Sequence, residues 1–231
     1  MQLDQPDIWQ DSPVVPEADF QSTYQRGLGV CGGTYHPIAA ARFYNLVQAL
    51  RMTEGLPGQT IEAGCYRGLT SYLTCHTRRQ HDPSFDGTGH TVVDSFEGLS
   101  EPTEADGADA HACWSRGQFT DTGVDHLRRV LADFPGVRFC KGWIPAVLDD
   151  LPDTPLRFAH IDVDLHDPTL QCLECFYPRL VPGGIIVIDD YGPWSSGKWE
   201  GCRKACATFA SGIPEPIVPL STGNAMLIRR A

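Results

Sequence analysis

Five short apolar runs alternate with segments of helical periodicity, and this alternation restricts the fold class more than any other feature of the chain. The runs are Thr60–Ala63, His90–Asp94, Val137–Lys141, Leu156–Asp162 and Gly184–Asp189. Helices are expected over Leu69–Arg78, Val124–Phe134, Pro145–Leu151, Thr169–Leu180 and Trp199–Phe209. Strand–helix repetition of this kind builds a mostly parallel sheet with helices on both faces. The final runs, "PIVPL" and "NAMLIRR", are joined by the turn "STGN" and read as a hairpin that adds an antiparallel edge. A further amphipathic helix enters through Pro37, aligns Phe43, Leu46, Val47 and Leu50 on one face, and stops at Gly55. The expectation is an α/β, doubly wound, mostly parallel seven-stranded sheet with a C-terminal antiparallel hairpin, formed by residues 37–231 as one domain. Residues 1–36 are expected to be an irregular arm. Residues 97–123, polar and rich in glycine, are too long for a simple connection and are expected to be a lid or substrate loop.

Composition removes several function classes. A formal charge of −11 over 231 residues argues against a nucleic-acid binder, whose phosphate contacts need clustered Lys and Arg. No apolar run approaches the roughly 20 residues that span a bilayer, and the acidic, polar start "MQLDQPDIWQDSPVVPEADF" is unlike a signal peptide. Nine cysteines, an odd number, do not make a disulfide scaffold in a chain this long, so a reducing cytoplasm is the expected location. Cys172/Cys175 and Cys202/Cys206 could supply four thiolates to zinc, but both spacings are ordinary for helices, and a role as small buried hydrophobes is favoured.

In open α/β sheets ligands bind outside the carboxyl ends of the strands. Glu62, Asp94, Asp162 and Asp189 each end an expected strand. At the first strand–helix junction, "IEAGCYRGLTS" offers Gly64 and Gly68 for close backbone approach, but it is neither GxGxxG nor a phosphate-binding GK[ST] loop. Asp94, with Ser95 beside it, ends the second strand, where an acid can accept both hydroxyls of a ribose. An ordinary turn aspartate is the plain alternative; together with the glycine turn, a nucleoside-containing cofactor is the better explanation. The segment "RFAHIDVDLHD" would, if fully extended, put His160, Asp162, Asp164 and His166 on one face. Its position among the strand ends favours a buried strand up to Ile161 and a loop from Asp162 onward. Neighbouring parallel strands would bring Asp162 and Asp189 to within about 5 Å, where carboxylates repel unless a cation neutralises them. Oxygen ligands favour magnesium, while His160 and His166 leave manganese, iron or zinc open.

The stretches "IEAGCYRG", "VVDSFEGL", "HIDVDLHDPT", "YPRLVPGGIIVIDDYG" and "GCRKACATF" together resemble the macrocin O-methyltransferase family over roughly residues 40–210. The resemblance implies a Rossmann-like class I methyltransferase fold, S-adenosylmethionine as cofactor, a divalent metal such as Mg2+, and a sugar or polyol hydroxyl on a small molecule as methyl acceptor. It implies that Glu62, Gly64 and Ser71, with Gly68 in the same turn, hold the methionine end of the cofactor. Asp94 and Ser95 would meet its ribose and Gly142-Trp143 its adenine, and Asp162, Asp189 and Asp190 would bind the metal. Leu69 stands where a second glycine often follows, His166 replaces a tyrosine, and "GPWSSGKWEG" is a longer loop than the family pattern. The general base is left between Asp162 and His166. No nucleic-acid or membrane partner is expected, and a homo-oligomer is left open. The competing readings are a nicotinamide- or nucleotide-sugar-using α/β enzyme, which lacks its glycine fingerprint here, and a non-catalytic small-molecule-binding protein, which would have no use for the acidic cluster.

Overall fold

The five apolar runs become five parallel strands: β1 Gln59–Ala63, β2 His90–Asp94, β3 Arg138–Lys141, β4 Leu156–Ile161 and β5 Leu180–Ile188. A computed structural model describes residues 16–192 and 197–230. The hairpin follows as β6 Val218–Pro219 and β7 Ala225–Ile228, and the sheet order is β3-β2-β1-β4-β5-β7-β6. β7 runs antiparallel to both β5 and β6. Ala63 pairs with Ile161, and Ile161 with Ile188, so the carboxyl ends of β1, β4 and β5 finish level.

Every residue of β4 is buried, as expected for a central parallel strand covered on both faces. Alternation then sorts its neighbours. Ala159 and Ile161 face a core with Ile186, Ile188, Leu173, Phe176, Cys202 and Cys206, the last four from α6 His166–Phe176 and α7 Glu200–Ala210. Phe158, Ile185 and Val187 face the other way, onto Tyr24, Leu46, Val47 and Leu50. These come from α1 Ala18–Cys31 and α2 Pro37–Met52. A third cluster packs Val92 against α3 Leu69–His81 and α5 Val124–Val130.

The arm expected to be irregular is helical over Ala18–Cys31. Phe20, Tyr24 and Cys31 bury one face, and Gly27 lets α1 lie close on α3. A Cβ at Gly27 would meet Leu69 Cδ1 at 2.7 Å and a ring carbon of Tyr72 at 2.9 Å. Residues 1–15 lie outside the described residues, as does part of the long loop before α7. The helix expected over Pro145–Leu151 is one 3-10 turn, Ala146–Leu148. Residues 97–123 contain a 3-10 turn at Glu104–Asp106 and α4, Ala108–Cys113. All nine thiols are free, and the metal-compatible side-chain groups found among the described residues contain no cysteine.

Candidate active site

The level strand ends open into a cavity of 270 Å³. Gly64, Asp94, Ser95, Gly142, Trp143, Asp162 and Asp190, all expected from the sequence, line it together. Gly64 has φ +80°, and a Cβ there would collide with the carbonyl oxygen of Asp162, so β1 and β4 can approach this closely only at a glycine. Asp94 is pinned from behind: Oδ2 accepts the Cys65 N–H at 2.8 Å and Oδ1 the Phe96 N–H at 2.7 Å. Oδ2 also accepts the Cys65 thiol at 3.2 Å, and Oδ1 keeps a second lone pair for a ligand hydroxyl. Ser95 spends its hydroxyl within the loop, donating to the Gly98 carbonyl at 2.7 Å.

On the other side of the cavity the acids converge. Asp162, Asp164 and Asp190 place carboxylate oxygens within 4.8 Å of one another, and His160, Asp162 and Asp189 form a second such group. Asp162 belongs to both. Asp164 and Asp190 adopt left-handed φ values of 61° and 57°, a conformation that costs a non-glycine residue energy and that recurs at functional sites. Burial, followed by the charge of Asp189, pushes the carboxyls of Asp162 and Asp190 well above the usual range; burial also raises Asp164. Arg42, projecting from α2, lies 3.0 Å from Asp189 and 3.3 Å from Asp190, and the charge of Asp189 holds its guanidinium protonated. One guanidinium cannot neutralise four carboxylates. Buried oxygen donors in excess of positive charge suit a hard divalent cation such as Mg2+. The Trp199 indole donates to Asp164 Oδ1 at 3.0 Å.

Five expected site residues do not line the cavity: Asp189, buried and paired with Arg42, and four others. The imidazole of His166, first residue of α6, turns to Asp167, with Nδ1 2.7 Å from Oδ1. Gly68 caps α3 and faces Leu127. Glu62 is buried beneath the floor, where it accepts the Ser71 hydroxyl and lies 3.4 Å from His160 Nδ1. Ser71 in turn sits 3.0 Å from His90 Nε2, and His90 Nδ1 2.9 Å from Thr60 Oγ1. Burial pushes the His90 imidazole down to about 3, so it stays neutral in this chain of polar groups. Burial works in the same direction on His160, but the bond to Glu62 and the charge of Asp162 outweigh it and raise that imidazole. These residues brace the floor from below.

The 97–123 segment folds over the mouth. Trp114 packs on Phe119 at 5.8 Å and on Trp199 at 5.9 Å, and its indole N–H donates to the Lys198 carbonyl at 3.0 Å. Asp106 fixes this roof to the acidic loop. Its buried carboxylate accepts the His166 N–H at 2.6 Å through Oδ1 and the Thr103 N–H at 2.7 Å through Oδ2. Asp106→Ala is expected to lower unfolding free energy by about 1.5–3 kcal/mol, the range for hydrogen bonds to a charged group. Urea unfolding of the variant measures this, and an unchanged midpoint would contradict it.

A seven-stranded sheet in this order, with an antiparallel C-terminal hairpin and a pocket at its carboxyl edge, defines the class I methyltransferase fold. Residues 16–226 match the macrocin-O-methyltransferase (TylF) family, and the chain belongs to it. It is 33% identical over 178 residues to 8-demethyl-8-(2,3-dimethoxy-alpha-L-rhamnosyl)-tetracenomycin-C 4'-O-methyltransferase of Streptomyces olivaceus, covering 72% of this chain and 64% of that one. The chain thus matches just under two thirds of that relative's length. It is 29% identical to mycinamicin III 3''-O-methyltransferase of Micromonospora griseorubida, covering 92% of this chain and 87% of the relative. Among solved structures it is similar to the O-methyltransferase NovP, with a TM-score of 0.68, 26% identity, and coverage of 82% and 80%. No helix among the described residues is long and apolar enough to cross a membrane.

Proposed function

We propose that this protein transfers a methyl group from S-adenosylmethionine to a hydroxyl on the sugar of a glycosylated small molecule, with a divalent cation at the acidic cluster. The observation that carries this reading is one cavity in which a nucleoside-suited wall, Gly64, Asp94 and Trp143, faces the carboxylates of Asp162, Asp164 and Asp190. The name of the tetracenomycin relative, whose substrate carries a rhamnosyl group, supports the acceptor class.

Bound S-adenosylmethionine supplies a methyl group that is already electrophilic, so the protein's work is alignment and removal of one proton. Gly64 admits the cofactor close to the strand ends, Asp94 accepts its ribose hydroxyls, and Gly142 and Trp143 flank its adenine. Asp162, Asp189 and Asp190 would hold the cation, which would supply Lewis acidity to fix an acceptor hydroxyl and lower its pKa. Asp164 takes the proton. Asp162 is shared by both acidic groups and would be taken up by the cation, whereas Asp164, in one group only, lines the cavity with its Oδ1 held by the Trp199 indole. The 97–123 segment serves as the roof over the acceptor.

S-adenosylhomocysteine should raise the melting temperature, since a ligand that binds only the folded state stabilises it by mass action, and NAD should not. Asp94→Ala should weaken S-adenosylhomocysteine by about 1.5–3 kcal/mol, as for lost hydrogen bonds to a charged group. Stabilisation by NAD alone would replace the methyltransferase reading with the nicotinamide one. Equal affinity of mutant and wild type would remove Asp94 from the ribose.

A further inference from the structure

At the opposite edge of the sheet, beside Gly58 and the first residues of β4, lies a second cavity of 190 Å³. Two arginines line it, Arg78 from α3 and Arg157 from β4. Arg157 is 9% exposed, its Nε is buried with no hydrogen-bond partner, and its Nη1 reaches the Thr53 carbonyl only at 3.5 Å. Arg78 is held by Thr60 Oγ1 and the Gly89 carbonyl, each at 3.2 Å, with its guanidinium carbon 3.9 Å from the centre of the Phe85 ring. Neither guanidinium forms an ion pair among the described residues.

Two acids share the cavity with the arginines, and neither reaches a guanidinium. Glu54 pairs with His81 at 3.1 Å, and Asp82 accepts the Ser84 N–H and hydroxyl at 3.0 and 2.6 Å. Burial, followed by the charge of Arg157, pushes the Arg78 guanidinium down to about 10; burial also lowers Arg157. Buried charges in folded proteins are paired, and the buried Nε of Arg157 lacks the partner that an anion would supply. A planar guanidinium fork matches an oxyanion in geometry as well as in charge.

We propose that this cavity binds a small oxyanion, either inorganic phosphate or the phosphate group of a metabolite, between Arg78 and Arg157. β1 separates it from the active-site cavity by roughly 16 Å, five residues at strand rise. Occupancy is therefore compatible with a bound cofactor, and Arg78 connects the two ends of the sheet through Thr60, His90, Ser71 and Glu62.

The test is titration of the whole protein with inorganic phosphate against potassium chloride at matched ionic strength, read by thermal shift and by isothermal calorimetry. Phosphate should bind saturably, raise the melting temperature, and add to the shift given by S-adenosylhomocysteine. Arg157→Met, which removes one of two repelling charges and keeps the side chain's length, should fold and weaken phosphate at least tenfold; Arg78→Gln should do the same. Ribose 5-phosphate is the second arm: tighter binding than phosphate assigns the site to a metabolite, and weaker binding to the free ion. No saturable binding to the wild type overturns the proposal, whatever the variants do. Undiminished binding in a folded Arg157→Met overturns it equally.

Discussion

Gly64→Ala should unfold the chain more easily and leave little cofactor binding in what remains folded. A side chain at φ +80° is strained, and its Cβ would occupy the place of the Asp162 carbonyl oxygen. Strain and overpacking together should cost roughly 2–4 kcal/mol of stability. The collision can be relieved only by driving β1 and β4 apart, which moves Asp162 and opens the wall opposite Asp94. S-adenosylhomocysteine affinity should therefore fall at least tenfold, about 1.4 kcal/mol. Gly68→Ala is the control, because its φ is equally unusual at +85° but its nearest Cβ neighbours would be side chains, Leu127 at 3.3 Å and Val130 at 3.5 Å. That variant should lose stability without a matching loss of cofactor. Urea unfolding and calorimetry of both variants decide the matter; a Gly64→Ala protein with wild-type affinity would mean that the strand ends do not form the cofactor wall.

Removal of divalent metal should abolish methyl transfer and leave cofactor binding largely intact, because the cofactor wall and the acidic wall come from different strand ends. EDTA followed by Mg2+ should switch activity off and back on. Asp162→Asn should lose metal affinity and turnover together. Asp164→Asn should keep metal affinity and lose about 10²–10⁴ in turnover, the usual contribution of a general base. His166→Ala should be close to wild type in both, since its imidazole is turned to Asp167. Turnover undiminished in EDTA, with Asp162→Asn fully active, would dispose of the metal mechanism while leaving the methyltransferase reading in place.

What the sequence makes legible is what lies close along the chain. Apolar runs ending in acids mark β1, β2, β4 and β5, and the turn "STGN" marks the hairpin. Because Asp162 and Asp189 each follow a parallel strand directly, their meeting needs only neighbouring strands, and that neighbourhood holds. The misses share a cause, contacts made across long sequence separations. Nothing local in "ADFQSTYQRGLGVC" shows that Gly27 belongs against Leu69 and Tyr72, and two glycines make the stretch look like loop. Arg42 has an acidic partner 148 residues away. The alternation of His160, Asp162, Asp164 and His166 reads as one face only while the chain stays extended. β4 ends at Ile161, Asp164 turns left-handed, and His166 is carried off as the first residue of α6. Glu62 lies one residue before the end of its strand, and Ser71 and His160 reach it first.

The hairpin edge of the sheet has a bearing on how copies of this chain behave together. β6, the last strand in the order, is two residues long, and one of them is Pro219. Proline has no amide hydrogen to offer, so a strand arriving from another molecule would find almost no ladder to extend. A short edge interrupted by an imino acid, on a chain carrying a formal charge of −11, works against edge-to-edge polymerisation at high protein concentration.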